Sequence, residues 1–366
     1  MPPSIASRTE LLARNPFRHI AEKARFLENP INLGMGQPDF DVPEELTAIA
    51  IDAMRSGHNG YSSAAGHPAL REIIKTTLDV NARHPENDVV VTCGTLGALT
   101  LAMQAIINPG DEVILFDPYF LAYPHLVHLV SGTSRFLSTY PLFQPDPDLV
   151  LANITPRTKA IMLCSPSNPT GVVTSRDRVQ ALAELADRLG IWLISDEIYS
   201  TFLYEGSFSS PIRFGENVIV CSSFSKTHGM TGWRLGYAYG PKDVIEAMMT
   251  LQQATFVCAP TMAQHAGVAA WNYPMNRYVD AYRHKRDWLL NHLDPRYHVV
   301  KPEGAFYLFP QAPRGTGTEW AEQALAHKLI FMPGQVFSQQ DTHFRLSYAA
   351  SDESLARAAE VLNRML

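Results

Sequence analysis

The sequence has few cysteines and no cysteine pair of the kind that binds zinc. Its 366 residues contain four, at positions 93, 164, 221 and 258, and none forms a C-x-x-C motif. Zinc knuckles and small disulfide scaffolds are therefore excluded. Because the neighbouring residues are mostly apolar, we expect buried thiols in a reducing compartment. The thirteen histidines show no metal-ligand spacing, so no metal site is predicted.

The sequence also lacks a large excess of either charge and has no long apolar run. Thirty Lys and Arg residues face 36 Asp and Glu residues, and the net charge of -6 argues against a nucleic-acid or anionic-membrane surface. No stretch approaches the roughly eighteen apolar residues of a membrane span, and the N-terminus has no apolar signal core. Hydrophobic residues are 46% of the chain, enough for a sizeable core. The composition favours a cytoplasmic protein the size of an enzyme.

Short β-branched runs alternate with amphipathic stretches between about residues 88 and 240. The runs predict strands at residues 89–93, 112–116, 159–164, 191–195, 218–222 and 235–239. Helical patterns between them cover residues 94–107, 119–130 and 175–189. Continuous apolar runs without strict alternation are typical of strands that are buried on both faces. The alternation predicts a parallel sheet covered by helices.

The two ends of the chain have a different pattern. The first 42 residues are predicted to be helical and then extended, and residues 273–293 are predicted to form one long helix. Short predicted strands at 305–309 and 343–349 precede a terminal helix at 352–366. We therefore expect a large domain over residues 43–272 and a smaller domain formed by residues 1–42 and 273–366.

Chemically distinctive residues follow five predicted strands at the points where the strands end. They lie in the segments G-T-L-G at 94–97, D-P-Y-F at 117–120, S-P-S-N-P-T-G at 165–171, D-E-I-Y at 196–199 and S-F-S-K at 223–226. Ligands bind beyond the carboxyl ends of the strands in open parallel sheets. We therefore expect one sheet edge to combine a helix N-terminus suited to phosphate, an aromatic ring, an amide, an acid with a phenol, and a lysine.

Taken singly, these residues also have ordinary structural explanations. Residues 94–97 could be a plain strand–helix turn, Asp196 a helix cap, and Lys226 an exposed lysine. Arg234 and Arg345 lie in or beside predicted strands, where each could form a structural salt bridge. The functional interpretation depends on the whole set.

Two motifs point to other enzyme classes but are incomplete. G-M-G at residues 34–36 begins like a dinucleotide-binding fingerprint, but no third glycine or helix follows. S-F-S-K at 223–226 fits the S-x-x-K of penicillin-recognising enzymes, which also need S-D-N and K-T-G elements that this sequence lacks.

Several motifs in a fixed order resemble those of the fold-type I, pyridoxal-phosphate-dependent aminotransferases of class I and II. They are N-P-T-G at 168–171, D-E-I-Y at 196–199, S-F-S-K at 223–226 followed by M-T-G-W-R-L-G-Y at 230–237, and R-L-S at 345–347. Together with Tyr61, they extend the match from about residue 31 to the end of the chain. The resemblance implies an α/β fold. Its large domain has a mostly parallel seven-stranded sheet between helices, and its smaller α+β domain is formed by both chain ends.

The resemblance also implies which residues are catalytic. Lys226 would bind the cofactor aldehyde as a Schiff base and would then move a proton between the substrate Cα and the cofactor. Asp196 would keep the pyridine nitrogen protonated, so that the ring can accept electrons. Tyr199 and Asn168 would hydrogen-bond the phenolic oxygen of the ring, and Phe120 would stack on the ring face.

Two further groups of residues would bind the phosphate and the substrate carboxylate. By resemblance, the phosphate partners are Gly94, Thr95, Leu96, Ser223 and Arg234. Arg345 would bind the α-carboxylate of the substrate, with Gly36 and Asn168 beside it. The resemblance further implies a homodimer with shared active sites, in which Tyr61 reaches the phosphate of the neighbouring protomer. It also implies a cis bond between Asn168 and Pro169.

The sequence departs from the family where substrates are distinguished. V-C-A-P-T at residues 257–261 replaces the S-N-P-T-S common in the aspartate-type branch, and Gln37 stands where many relatives have Glu. No arginine there matches the second-carboxylate clamp of dicarboxylate-specific relatives, and Arg18 and Arg25 remain unassigned. We therefore expect a ping-pong transfer from a neutral or aromatic L-amino acid to a 2-oxo acid. A β-elimination (C–S) lyase on the same fold is the alternative, since it needs the same Lys226.

Overall fold

The computed structural model describes residues 5–6, 8–9, 24–25 and 27–366. Its helices are α1 (Glu44–Arg55), α2 (Pro68–Asp79), α3 (Gly94–Ile106), α4 (Ala122–Leu129), α5 (Pro147–Ala152), α6 (Arg176–Leu189), α7 (Phe224–Thr227), α8 (Lys242–Thr255), α9 (Thr261–Ala270), α10 (Asn276–His292), α11 (Gly317–Ala326) and α12 (Asp352–Met365). Its strands are β1 (Ile31–Asn32), β2 (Asn87–Thr92), β3 (Glu112–Asp117), β4 (Thr133–Ser138), β5 (Thr158–Cys164), β6 (Trp192–Asp196), β7 (Val218–Ser223), β8 (Gly236–Pro241), β9 (Tyr307–Leu308), β10 (Leu329–Ile330), β11 (Met332–Pro333) and β12 (Phe344–Ser347).

A seven-stranded sheet forms the centre of the molecule, with the strand order β2-β8-β7-β6-β5-β3-β4. Its strands run in the same direction except β8, which is antiparallel to both of its neighbours. The predicted mostly parallel sheet between helices is therefore confirmed. The edge strand β4 is absent from the prediction, because its sequence T-S-R-F-L-S contains no apolar run.

Neighbouring residues of each strand point to opposite sides of this sheet, and helices pack against both sides. In β2, Val89 and Val91 belong to the apolar cluster shared with α1, α2, α6 and α9. Val90 between them belongs to the cluster shared with α3, α4 and α8. All three valines are fully buried. Both faces of the sheet are therefore closed by helices, and a ligand can reach the sheet only at an edge.

The remaining strands connect the early part of the chain with its C-terminal part. β1 pairs in parallel with β10, and β11, β12 and β9 form an antiparallel three-stranded sheet. The helices α10, α11 and α12 share an apolar cluster with β1, β9, β10 and β12. The early helical prediction falls largely on residues outside the described ranges, and the domain boundary near residue 272 stays a prediction. Among the described residues, no helix combines the length and the apolar character that a membrane span requires.

Candidate active site

The carboxyl ends of β2, β5, β6 and β7 open onto one cavity of about 480 Å³. Most of the residues that the sequence singled out line this cavity, namely Gly36, Thr95, Leu96, Phe120, Asn168, Asp196, Tyr199, Ser223, Lys226, Arg234 and Arg345. Parallel strands collect the residues that follow them at one edge of the sheet. The fold therefore brings these residues together, although they come from distant parts of the chain.

Arg234 reaches the same edge by a different route. It lies just before β8, which begins at Gly236 and is the antiparallel strand of the sheet. The start of β8 therefore lies beside the ends of its neighbours, as the pairing of Gly236 with Thr92 and with Ser223 shows. A lysine after β7 and an arginine before β8 consequently face one cavity.

Lys226 lies in the short helix α7, at the end of β7. Ser223 caps this helix, because its Oγ accepts a hydrogen bond of 3.2 Å from the backbone N–H of Ser225. Nζ of Lys226 donates a 2.6 Å hydrogen bond to the carbonyl oxygen of Gly36. Burial is the main cause that lowers the pKa of Lys226 to about 8. The positive charges of Arg345 and Arg234 act in the same direction. Near neutral pH, the neutral amine is therefore accessible at low cost.

Asp196 ends β6 and is 4% exposed. Its Oδ2 accepts a 2.7 Å hydrogen bond from the hydroxyl of Tyr123, and its Oδ1 accepts one of 3.2 Å from the N–H of Ile198. Burial raises the pKa of Asp196 to about 6 despite these hydrogen bonds and the charge of Lys226. A cation next to this carboxylate would stabilise its ionised form. The nitrogen of a protonated pyridine ring would be such a cation.

Arg345 is a buried cation held between two aromatic rings. Its Cζ lies 4.5 Å from the ring centre of Tyr307 and 4.5 Å from that of Phe337. Nη1 donates to Oδ1 of Asn168 at 2.9 Å, and Nη2 donates to the carbonyl oxygen of Gly34 at 2.7 Å. Nε is buried and has no hydrogen-bond partner in the described structure. A fixed guanidinium with a free donor is suited to bind a carboxylate.

The N-terminus of α3 forms a corner with Arg234. Gly94 has a φ of +74°, and a Cβ at this position would lie 2.4 Å from Nη2 of Arg234. The guanidinium is oriented by the carbonyl oxygens of Thr231 (2.8 Å) and Cys93 (3.2 Å). The Oγ1 of Thr95 is buried without a partner among the described residues. Free helix N–H groups, an unpaired hydroxyl and a guanidinium are the groups that bind phosphate at a helix N-terminus.

Two tyrosines of the cavity were missed by the sequence analysis. Tyr123, which holds Asp196, comes one helical turn after Phe120, and the two rings meet edge to face with centres 5.5 Å apart. That three-residue spacing is a signal that could have identified it. The hydroxyl of Tyr307 lies 2.7 Å from that of Tyr199. Tyr307 lies inside an apolar run and carried no sequence signal.

The remaining candidates lie elsewhere. Tyr61 is 84% exposed and is not among the residues that line the cavity. Arg25 is exposed and also does not line it, and Arg18 lies outside the described residues. The predicted cis bond before Pro169 was wrong, since the cis bond of this loop joins Ser165 to Pro166. Both are X-Pro bonds, so local sequence does not decide which of them is cis.

Comparisons with known proteins agree with this geometry. The family model described as aminotransferase class I and II matches residues 28–362. The chain is 38% identical to the aspartate/prephenate aminotransferase of Thermus thermophilus over 376 residues, which cover 97% of each protein. The structure of Thermus thermophilus aspartate aminotransferase with maleate superimposes with a TM-score of 0.93, 36% identity and complete coverage of both chains. A Methanococcus jannaschii structure, described as similar in its active site to kynurenine aminotransferases, has a TM-score of 0.89 and 28% identity. It covers 99% of this chain and is itself covered in full.

Proposed function

Because this chain belongs to the class I and II aminotransferases and is itself an aminotransferase, we propose that it uses pyridoxal phosphate to transfer an amino group from a neutral or aromatic L-amino acid to a 2-oxo acid in a ping-pong reaction. One observation carries the proposal. A half-buried amine and a buried carboxylate, Lys226 and Asp196, line one cavity, together with Arg234 at the phosphate corner and the buried Arg345.

The residues of the cavity fit pyridoxal phosphate. When bound, this cofactor supplies an aldehyde that reacts with amines and a ring that withdraws electrons from the carbon losing its proton. The unpaired Oγ1 of Thr95 and the guanidinium of Arg234 lie where the phosphate would bind. Gly94 leaves room at this corner that a Cβ would fill. Phe120 and Asp196, both lining the cavity, offer a stacking face and a partner for the ring nitrogen.

Lys226 and Asp196 divide the proton chemistry. The lowered pKa of Lys226 would let its Nζ act as a nucleophile and accept the proton from the substrate Cα. Asp196 is 4% exposed, and its carboxylate would hold a proton on the ring nitrogen of the bound cofactor. Lys226 would thus act on the aldehyde and Asp196 on the ring nitrogen.

Arg345 orients the amino acid. Its guanidinium plane is fixed by two rings and by Asn168 and Gly34, so the free Nε points in one direction only. A carboxylate bound there has a defined orientation, and the bond that breaks at Cα is selected by that orientation.

The composition of the cavity wall supports a neutral or aromatic substrate. Among the described residues that line the cavity, the cations are Lys226, Arg234 and Arg345, and each already has a role. No further lining cation of the described chain is available for a second carboxylate, which aspartate would bring. Met35 and Met332 add apolar, adaptable surface to the wall.

A homodimer with shared active sites completes the proposal. Tyr61 is 84% exposed, and its neighbour Gly60 is tied to α9 by a hydrogen bond of 2.8 Å from Thr261. A large exposed phenol on an anchored segment suits a residue that acts in a second subunit. The cytoplasmic location stays a prediction from the composition.

Absorbance of the purified protein tests the proposal. We expect a visible cofactor band that is lost when one neutral or aromatic amino acid is added without an acceptor, and that returns when a 2-oxo acid is added. Aspartate, presented at the same concentration, should convert the band much more slowly. Release of pyruvate and ammonia from a cysteine conjugate without any 2-oxo acid would instead favour the lyase reaction. A protein without the band would contradict the proposal.

A further inference from the structure

Tyr307 is a buried residue of the cavity to which neither the sequence motifs nor the proposed function gives a role. Its exposed fraction is 0%, and its hydroxyl lies 2.7 Å from the hydroxyl of Tyr199. The centre of its ring lies 4.5 Å from Cζ of Arg345. One side chain therefore touches the residue expected to bind the ring oxygen and the residue expected to bind the substrate carboxylate.

The backbone fixes this arrangement closely. In the pairing of β9 with β12, Tyr307 lies opposite Ser347, and Arg345 lies two residues before Ser347 on β12. Residues two apart on a strand share a face of the sheet, so Tyr307 and Arg345 are diagonal neighbours. The hydroxyl is confined on its other side by Gly36, where a Cβ would come within 2.7 Å of it.

We propose that Tyr307 is a positioning residue that couples the two halves of the site: its hydroxyl donates to Tyr199, and its ring holds the guanidinium of Arg345. The inference rests on the proposed function, because Tyr199 acts on the cofactor. Each hydroxyl has one proton to donate. If Tyr307 donates to Tyr199, the proton of Tyr199 remains free for the phenolic oxygen of the cofactor.

The charge of Arg345 explains the direction of this hydrogen bond. Burial raises the pKa of both phenols, so both keep their protons. The guanidinium acts more strongly on Tyr307, whose ring it covers, and opposes the rise in the pKa of that phenol. A hydroxyl whose ring contacts a cation is the better donor, and a donor chain is strengthened by each link.

A spectroscopic pH titration of Tyr307→Phe tests the direction of the bond. A hydroxyl that donates to the ring oxygen stabilises the anionic form of that oxygen and lowers the pH at which the visible cofactor band titrates. We expect Tyr307→Phe to raise this pH by about 0.5 unit, in the same direction as Tyr199→Phe but by less. No shift, or a shift to lower pH, would overturn the assignment, because Tyr199 would then have been donating to Tyr307.

The role of the ring is tested separately by Tyr307→Leu. Phenylalanine retains the aromatic face, so the KM for the amino donor should stay within about twofold, while leucine should raise it about tenfold. Equal KM values in the two variants would contradict the coupling to Arg345. Tyr297→Phe is the control, because it removes another buried hydroxyl, bonded to the carbonyl oxygen of Leu362 and distant from the cavity.

Stability measurements on the cofactor-free protein distinguish failure of this inference from failure of the proposed function. We expect the shifts in denaturation midpoint of Tyr199→Phe and Tyr307→Phe to be non-additive in the double variant, because the two hydroxyls are bonded to each other. Additive shifts would refute the link even if the cofactor binds. If the shifts are non-additive but the protein never shows a cofactor band, the link between the two hydroxyls stands and the proposed function is wrong.

Discussion

The hydroxyl of Tyr123 donates a hydrogen bond of 2.7 Å to Oδ2 of Asp196, and both side chains are buried. The bond joins α4, on one face of the large sheet, to the carboxyl end of β6. It opposes the effect of burial, which raises the pKa of Asp196 to about 6. Tyr123 therefore keeps the carboxylate ionised in a place where water cannot.

Replacing Tyr123 by Phe should shift the acid limb of the activity profile. Loss of the hydrogen bond raises the pKa of Asp196, so the carboxylate takes up a proton at a higher pH than in the wild type. We expect the acid limb of kcat/KM to move up by about 1 pH unit. Tyr119→Phe is the control, since it removes a nearby buried hydroxyl that bonds to Gln339. An unmoved acid limb would show that Tyr123 does not tune Asp196.

Asp196→Asn should retain the cofactor but lose several orders of magnitude in turnover. The amide keeps the shape of the side chain, but it cannot hold a proton on the ring nitrogen by its charge. Glu197→Gln makes the same chemical change at the adjacent position, which does not line the cavity. It should change turnover by less than about tenfold. Near-normal turnover of the asparagine variant would refute the role assigned to Asp196.

A separate prediction concerns the effect of Glu197 on the stability of the protein. Burial raises its pKa to about 7, while hydrogen bonds from Ser195 and Ser210 act in the opposite direction. The folded state binds this proton more tightly than the unfolded state. The stabilisation is therefore complete below the ordinary carboxyl pKa and is lost as the pH rises towards 7.

Glu197→Gln in the cofactor-free protein should remove that pH dependence. The free energy of unfolding of the wild type should fall relative to the variant between about pH 4.5 and 7, by on the order of 3 kcal/mol. Denaturant titrations of both proteins across this range measure the difference. Parallel stability curves would show that Glu197 is ionised in the folded protein.

Arg345→Lys should weaken substrate binding although it conserves charge. Lysine offers a point charge and cannot stack between Tyr307 and Phe337 as the planar guanidinium does. We expect the KM for the amino donor to rise about 100-fold, with the cofactor still bound. Arg25→Ala tests the competing candidate and should leave KM unchanged within about twofold. A large effect at Arg25 would move the carboxylate site away from Arg345.

Much of the site could be predicted from the sequence because parallel strands place their ends at one edge. At the ends of β2, β5, β6 and β7, or in the segments that follow them, lie Thr95, Asn168, Asp196 and Lys226, and each lines the cavity. Arg234 could be identified only from its sequence motif, since it lies just before an antiparallel strand rather than at the carboxyl end of a parallel one. The functional roles of these residues are predictions that the experiments above test.

What could not be predicted depends on tertiary contacts. Tyr307 lies in a uniformly apolar run, and its importance arises from β12, which is distant in the chain. The edge strand β4 has no apolar run because its side chains are largely half-exposed.

The most direct test of the account is to reduce the purified protein with borohydride and locate the cofactor by peptide mass spectrometry. Borohydride converts a lysine-bound cofactor into a stable secondary amine, so that the modified residue can be identified. We expect a single modified lysine, Lys226, and no modification or visible band in Lys226→Ala. Cofactor on another lysine, or a band and turnover that survive in Lys226→Ala, would contradict it.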